Sequence, residues 1–351
     1  MNLTRMWAIF VSRNYEFFRD KAAFGWNFLF PFLIVAGFAI IFNGNNSSQF
    51  KAGIFPIPSA REFSVQGLKI PEKFKSTQYI DFIPFSSFPA ALDKLKHHKI
   101  DILIKNTSQP WKYWINRSSP KGYIAGKVFR QACIPDNEIN KKVVKEKIKG
   151  PQIRYIDWLF PGILGMNMMF SALYGVGYVI VRYRKNGVLK RLKATPLTAL
   201  EYLTAQMLSR MFLLLFTIAV VWFGCDMVFS FHMEGSFFDA GIVFTLGSIS
   251  LVSMGLVIAC RGVSEEFTSG IINFVSWPMM FLSGVWFSLE GSPLWVKKFA
   301  EIFPLTHMLS ALRKIMNDGA ALSDVMPDLM FLAIISLVCM SIAAFFFSWT
   351  E

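Results

Sequence analysis

The sequence has 351 residues, 54% of them apolar and 16% aromatic, and 36 Lys/Arg against 23 Asp/Glu give a formal net charge of +13. So much Phe is rare in a soluble domain and points to membrane insertion. The charge argues less than its size suggests for a nucleic-acid partner, because 19 Lys/Arg and 8 Asp/Glu fall between Gly44 and Ile153, leaving only +2 for the remainder.

Residues 1–23 place Leu3, Trp7, Phe10, Val11, Phe17 and Phe18 on one side of a helix, with Arg5, Ser12, Arg13, Glu16 and Arg19 on the other. That pattern predicts an amphipathic helix on the cytoplasmic membrane surface; a disordered leader whose charges only set orientation is the alternative. Basic residues ahead of an apolar run also raise the question of a signal peptide. Phe24–Phe42 is long for a signal core, Glu16 and Asp20 interrupt the basic region, and NGNNSS has no small-x-small cleavage pattern. An uncleaved first span over 24–43 is expected.

A helix needs about 20 mainly apolar residues to cross a bilayer, since no water satisfies its backbone there. Six stretches qualify: Phe24–Phe42, Trp158–Val181, about Tyr202–Phe223, Ala240–Cys260, Ile271–Leu289 and Leu329–Trp349. The third contains Gln206 and Arg210, both near one end, where a long Arg side chain can reach the headgroups. Arg5, Arg13, Arg19 and Lys21 before the first span, and Arg182, Arg184, Lys185, Lys190, Arg191 and Lys193 after the second, put both segments and both termini in the cytoplasm.

The insert at 44–153 then lies outside. In ALDKLKHHKIDILIK the spacing changes from helical (Leu92, Leu95) to alternating (Ile100, Ile102, Ile104), and Trp111, Tyr113 and Ile115 alternate, so a small α/β domain is expected. NKKVVKEKIKG, Asn140–Gly150, reads as a Lys-rich helix facing headgroups or solvent.

The segment Glu290–Asp328 should also be external, yet it carries Lys297, Lys298, Arg313 and Lys314. Two short interfacial helices, about 292–318, would reconcile this. The first has Ser292 as N-cap, Pro293 at its first position and a stop at Pro304; the second has Thr306 as N-cap and Gly319 as its stop. Trp295, Phe299 and Ile302 share one face, and Leu309, Leu312 and Met316 another, so each helix can lie on the outer leaflet while its basic groups snorkel.

The chain has no GxxxxGK[ST] loop, GxSxG elbow or HExxH. Cys133, Cys225, Cys260 and Cys339 have no metal or disulfide spacing, and His97, His98, His232 and His307 fall outside the spans as surface or interfacial residues. No catalytic or metal site is expected. The polar residues within the spans are neutral: Asn167, Tyr174, Tyr178, Ser248, Asn273 and Ser276, each read as packing glue before a substrate contact. Such a chain has no energy source of its own and needs an external motor or none. Asp157, Glu290 and His307 share no spacing that would make a membrane enzyme.

GVLKRLKATPL, Gly187–Leu197, follows the second span as a short surface helix, with Thr195 as cap and Pro196 opening the third span's helix. Alone, this basic run is a topology anchor or a rigid elbow that a motor could push. It resembles the coupling helix of ABC-2 type permeases, the membrane subunits of drug and lipid exporters. WPMMFLSGVWFSLEGSPLWVKKFAEIFPLTHMLSALR, Trp277–Arg313, resembles the family's fifth span, its Leu-Ser-Gly turn, its short external helices and the Pro-Leu-Thr-His that follows. Lys190-Arg191 stands where many members carry an acid, as in the drug-exporter branch, and Ser288 stands where a proline often follows Phe287.

The resemblance implies an α-helical integral membrane protein of six spans in a bacterial inner membrane, with an N-terminal interfacial helix and an external domain, 154–351 holding spans two to six. It implies a dimer with a second copy or a paralogue, a separate ABC ATPase that binds the ATP and Mg, and contact with membrane lipid; the external domain either receives substrate or binds a periplasmic adaptor. Gly187, Leu189, Lys190, Arg191, Leu192, Thr195, Pro196 and Leu197, about 184–197, would form the coupling element. Asn27, Asn167, Asn273 and Trp277 would line the pathway, and Ser283, Gly284, Pro293, Pro304 and His307 would shape the external turn and helices. An apolar or amphiphilic substrate is expected, because the spans offer no fixed charge. A polytopic sensor or assembly scaffold is the alternative, though it would not need the paired helices at 293–303 and 307–317.

Overall fold

Long apolar runs, three of them opened by a capping Ser or Thr, make this chain mainly helical. The structure, a computed structural model, describes residues 3–42, 50–57, 63–107, 110–134, 154–231, 233–262 and 264–349. Two compact units result, one of Met1–Asn43 with Gln152–Glu351 and one of Gly44–Pro151. The expected helix at Asn140–Gly150 and His232 lie outside the described residues.

Helices α1 (Leu3–Arg19) and α2 (Lys21–Phe42) break only at Asp20. α1 presents apolar residues on both sides. Met6 and Asn14 are buried against its own unit and Ile9, Phe10, Val11 and Phe17 are half-buried, while Leu3 (76% exposed), Trp7 and Phe18 look outward. Exposed apolar residues of this kind suit surroundings of lipid.

In the second unit, strands β1 (Phe50–Phe55), β2 (Ile80–Pro84), β3 (Ile102–Lys105) and β4 (Tyr113–Ile115) form one sheet in the order β2-β1-β3-β4. β1 runs parallel to β2 and β3, and only β4 is antiparallel. Helices α3 (Glu72–Lys75) and α4 (Phe88–Lys96) connect β1 to β2 and β2 to β3, and α5 (Pro120–Ala132) follows β4. Ala52, Ile54, Ile102 and Ile104 pack against Phe74 and Phe129 on one face; Phe55 and Leu103 meet Ala91 and Leu95 on the other. Both faces are covered, so Ile102, Leu103 and Ile104 are all buried, as a doubly covered parallel strand requires.

The larger unit continues with α6 (Tyr155–Lys185), α7 (Val188–Lys193), α8 (Ala199–Phe229) and α9 (Phe237–Ala259). α6 and α9 form its centre, and they cross where Gly177 faces Gly255. A Cβ on Gly177 would stand 3.3 Å from the Gly255 carbonyl, so the two backbones meet as closely as small residues permit. Ser248 and Ser276 bond carbonyls of their own helices and glue nothing across the unit. At 31 residues each, α6 and α8 are about 46 Å long, longer than a bilayer core, and their ends must project.

Thr195 is not the cap of α8. Thr198 is: its hydroxyl accepts from the Glu201 N–H at 3.3 Å, and Glu201 accepts from the Thr198 N–H at 3.0 Å. This reciprocal box satisfies two orphan donors, where the Thr195-Pro196 start would satisfy one. The Thr195 hydroxyl instead donates to the Leu192 carbonyl and closes α7.

The last helices are α10 (Glu265–Leu282), α11 (Leu294–Ala300), α12 (Pro304–Asp318) and α13 (Met326–Phe346). Five described helices are long and apolar enough to cross a membrane: those at 24–41, 155–185, 199–229, 237–259 and 322–346. α10 is not among them. It begins six residues before the expected fifth span and stops at Leu282, because Gly284 takes φ +72 and turns the chain. Its Glu265, Glu266 and Asn273 also dilute its hydropathy.

Ser292 and Thr306 are not N-caps, and Pro304 opens α12 where a stop was expected, since proline at a first helical position costs no hydrogen bond. α11 behaves as an outward amphipath, with Trp295, Phe299 and Ile302 exposed. α12 does not lie on an outer surface. Its Leu309, Leu312 and Met316 are buried against the centre, and Gly319 ends it at φ +65.

Candidate functional site

A cleft of about 780 Å³ opens within the larger unit between α1, α2, α6, α8 and α10. Asn27, Asn167 and Trp277 line it; Asn273 does not, and sits exposed elsewhere on α10. The cleft is graded. Arg13, Glu16, Asp20, Arg182 and Tyr178 ring one end, and Phe30, Ile34, Met166, Phe170, Met280 and Trp286 wall the other.

Between the two ends stands Arg210, with Phe17 beside its guanidinium. It does not reach out to headgroups. From α8 it turns inward and donates from one Nη to both the carbonyl and the hydroxyl of Ser171, whose hydroxyl in turn donates to Asn27 at 3.0 Å. Its Nε has no hydrogen-bond partner among the described residues, and neither has the Gln206 Nε2 one turn away. The spans therefore do carry a fixed charge. A cation at the middle of a helix costs about 2.5–3.5 kcal/mol on insertion scales, so Arg210 must be offset by the groups around it.

The Arg210 site coincides with a defect in α6. Residues Leu173–Tyr178 wind as a π-helix, a rare geometry concentrated at functional positions. Gly175 lies in that turn, directly against the guanidinium, where a Cβ would overlap it. Farther along, Tyr178 donates to Glu265 at 2.5 Å, and Lys185 pairs with the same carboxylate at 3.6 Å, tying α6 to the start of α10.

The basic elbow lies at this polar end. α6 ends at Lys185, Gly187 adopts φ +70, and the one-and-a-half-turn α7 follows. Leu189 is fully buried and Leu192 packs on the same core, so these two anchor the elbow, with Leu197 half-buried beyond them. Lys190, Arg191, Lys193, Thr195 and Pro196 face outward. Arg5 of α1 donates to the Pro196 carbonyl, and Arg13 bonds Gln206 at 2.9 Å and the Tyr183 hydroxyl. Beneath the elbow, Arg184 is buried and donates to the carbonyls of Ala259, Cys260, Gly262 and Ser348. One guanidinium thus joins the end of α6 to the ends of α9 and α13, satisfying orphan carbonyls at their negative poles.

At the opposite end, Ser283 and Gly284 form the turn after α10, and the Thr306 hydroxyl donates to Ser283 at 2.9 Å. Arg313 donates to the Gly284 carbonyl at 2.7 Å and stacks on Trp158 at 3.8 Å, so it too turns inward. His307 is not a surface residue. Its Nδ1 donates to Asp328 at 2.8 Å, its Nε2 to the Glu301 carbonyl at 2.9 Å, and its ring stacks on Phe331. Ser310 and Lys314 complete the shell around Asp328. Pro293 caps α11 beside them in sequence.

Burial alone would lower the His307 pKa, but the bonds to Asp328 and to the Glu301 carbonyl outweigh it and raise the pKa above 6.5. A raised folded-state pKa stabilises fully below the unfolded value and loses that contribution as pH climbs through the folded one. The thermal midpoint of the purified protein is expected to fall as pH rises above about 6.5, and the fall to flatten in His307→Gln. Parallel pH profiles for both proteins would contradict this.

Among the described residues no group of three His, Cys, Asp or Glu side chains could hold a metal. With the geometry in hand, comparison with known proteins is decisive. The family model described as "ABC-2 family transporter protein" matches residues 21–345. The chain belongs to this family.

Curated relatives of this ABC-2 protein agree. ABC transporter G family member 20 of Dictyostelium discoideum is 29% identical over 196 residues, 55% of this chain and 26% of that protein. The probable multidrug ABC transporter permease YbhR of Escherichia coli K12 is 23% identical over 199 residues, 56% of this chain and 54% of YbhR. The daunorubicin resistance permease protein DrrB1 of Streptomyces coeruleorubidus is 22% identical over 174 residues, 49% of this chain and 61% of DrrB1. The matched stretches thus span between a quarter and three fifths of these relatives.

Sequence reasoning about this ABC-2 protein missed Ser171 and Gly175, sent Arg210 to the headgroups and read Arg184 only as a topology charge. Arg210 carried one available signal, a charge about 17 Å into an apolar helix, beyond comfortable reach of its end.

Proposed function

We propose that this chain is the permease subunit of an ATP-binding-cassette exporter, moving an amphiphilic substrate such as a drug or lipid out of a bacterial inner membrane. A separate ABC ATPase, holding ATP and Mg, docks on the elbow Gly187–Leu197. The observation that carries this reading is the elbow itself: outward Lys190 and Arg191 on a short helix whose Leu189 is buried and whose base Arg184 locks to two other helices. A push there displaces α6 and α8 together, and both wall the cleft.

In this reading α10 is the fifth of six spans, continued toward the far leaflet by the 283–284 turn. Both termini lie in the cytoplasm, and α1 lies in the inner interface with Leu3 and Trp7 in lipid. The insert 44–153 is external, where a periplasmic adaptor could meet it, and two copies, or this chain and a paralogue, pair to form the pathway. The expected substrate is an amphiphile rather than a wholly apolar molecule, because the cleft carries Arg210.

The test is purification in mild detergent with mass spectrometry of co-eluting proteins and an ATPase assay. The parent is expected to bring down an ABC ATPase stoichiometrically. Lys190→Asp with Arg191→Asp is expected to lose it while eluting as the parent does, since neither side chain is buried. If no ATPase accompanies the parent, even after crosslinking in native membranes, the elbow is only a topology anchor and a sensor or scaffold becomes the better reading.

A further inference from the structure

The cleft contains two buried donors with no acceptor. Arg210 Nε and Gln206 Nε2 are both unpartnered among the described residues, as is the Tyr202 hydroxyl that neighbours Gln206, and Gln206 and Arg210 stand four residues apart on the same face of α8. Arg210 Nη2 is committed to Ser171, and Gln206 Oε1 to Arg13. The free directions are therefore both donating.

The charge balance points the same way. Of the cations lining the cleft, Arg13 pairs with Glu16 at 2.6 Å and Arg182 approaches the same carboxylate at 3.7 Å. Arg210 makes no ion pair with a described carboxylate, and its bonds to Ser171 are to neutral oxygens. A cation in a low-dielectric site with unfilled donors is complementary to an anion with several acceptor oxygens.

Beyond Arg210 the walls turn apolar. From Asn27 to Ile34 along α2 is about 10 Å, and this length is faced by Phe30, Met166, Phe170 and Met280. We propose that the cleft takes a single-headed anionic amphiphile, its carboxylate or phosphate on Arg210 and Gln206 and its chain along this apolar wall. The proposal rests on the permease reading and names its substrate class. Arg13 and Arg182 at the mouth both face Glu16, which leaves Arg210 as the lining cation without a described carboxylate.

The experiment uses the full chain in phosphatidylcholine nanodiscs, without any ATPase. 12-Bromododecanoate and 12-bromododecanol serve as probes, because bromine quenches Trp26, Trp277 and Trp286, which line the cleft. Saturable quenching by the carboxylate, roughly tenfold tighter than by the alcohol, is the expected result. Arg210→Gln should remove that preference by weakening the carboxylate alone, Arg210→Lys should restore part of it, and Gln206→Leu should weaken it less. Thermal unfolding of each variant separates a lost site from a lost fold, and Gln206→Leu, which removes no charge, keeps the test open if Arg210→Gln unfolds.

Equal affinities for the two probes in the parent, or a folded Arg210→Gln that keeps the preference, would overturn the proposal. Phosphatidylglycerol added to the nanodiscs identifies the source of the head: displacement of the bound carboxylate indicates a leaflet lipid, and no displacement a free single-chain amphiphile, each consistent with anion recognition. Because no motor is present, failure here leaves the elbow's docking untouched. An absent ATPase in the co-purification would equally leave this result standing.

Discussion

Replacing Arg184 by alanine is expected to lower the thermal midpoint of the purified protein by on the order of 10 °C and to cost it the co-purifying ATPase. The guanidinium donates to four carbonyls contributed by the ends of α9 and α13 and by the segments just beyond them. Removing it takes a donor from the Gly262 and Ser348 carbonyls, while Cys260 keeps the Ser348 N–H and Ala259 the Gly262 N–H, and losses of about 3–5 kcal/mol are typical when one partner of a buried charged network is deleted. The elbow would then be held by the packing of Leu189 and Leu192 and by the Arg5–Pro196 bond, without its link to α9 and α13.

Lysine should recover only part of the loss, since an ammonium is a point donor and cannot reproduce a planar fork that spans Gly262, Cys260 and Ser348 at once. The informative comparison is with Lys190→Asp/Arg191→Asp. That pair is expected to lose the ATPase with the midpoint intact, whereas Arg184→Ala loses both. An Arg184→Ala protein with the parent's midpoint would mean that the pin is not structural.

How much of this was legible beforehand differs by kind of question. The apolar runs themselves marked helices, because burial length and backbone satisfaction leave few other solutions. The change from helical to alternating spacing at Leu95–Ile100 falls where α4 ends and β3 is about to begin. Gly319 was readable as a helix stop and takes positive φ, whereas Gly187, read as part of the surface helix, also takes positive φ and separates α6 from α7.

Rotation about a helix axis was not legible. Leu309, Leu312 and Met316 form an apolar stripe that suits lipid or core equally, and only tertiary packing shows that it faces the centre. The same ambiguity hid Arg210 and Arg313, whose long stems can carry the charge outward or inward from the same position. At the start of α8, two threonines three residues apart compete. The pairing of Thr198 with Glu201 was the stronger signal, but Pro196 drew the start to Thr195. The π turn of α6 has no sequence signature beyond the glycines that make room for it.

That turn leads to the second large effect. Gly175→Val is expected to reduce transport roughly tenfold or more while leaving the midpoint near the parent's and the ATPase bound. A Cβ at this position would overlap the Arg210 guanidinium, so valine must expel Arg210 from its contact with Ser171 or force the π turn back toward an α-helix. Either change rearranges the middle of the cleft and spares both ends. The elbow contacts of Leu189 and Arg184 lie more than two helical turns away, as do Arg313 and His307 at the other end. The measurement is ATP-dependent uptake into inverted vesicles, with ATPase co-purification run on the same preparation. Full transport by a folded Gly175→Val protein would move the pathway out of this cleft, whereas loss of transport together with the bound ATPase would mean that α6 relays the disturbance along its length to the elbow. Only loss of transport with the motor still docked separates the two functions that α6 is proposed to join.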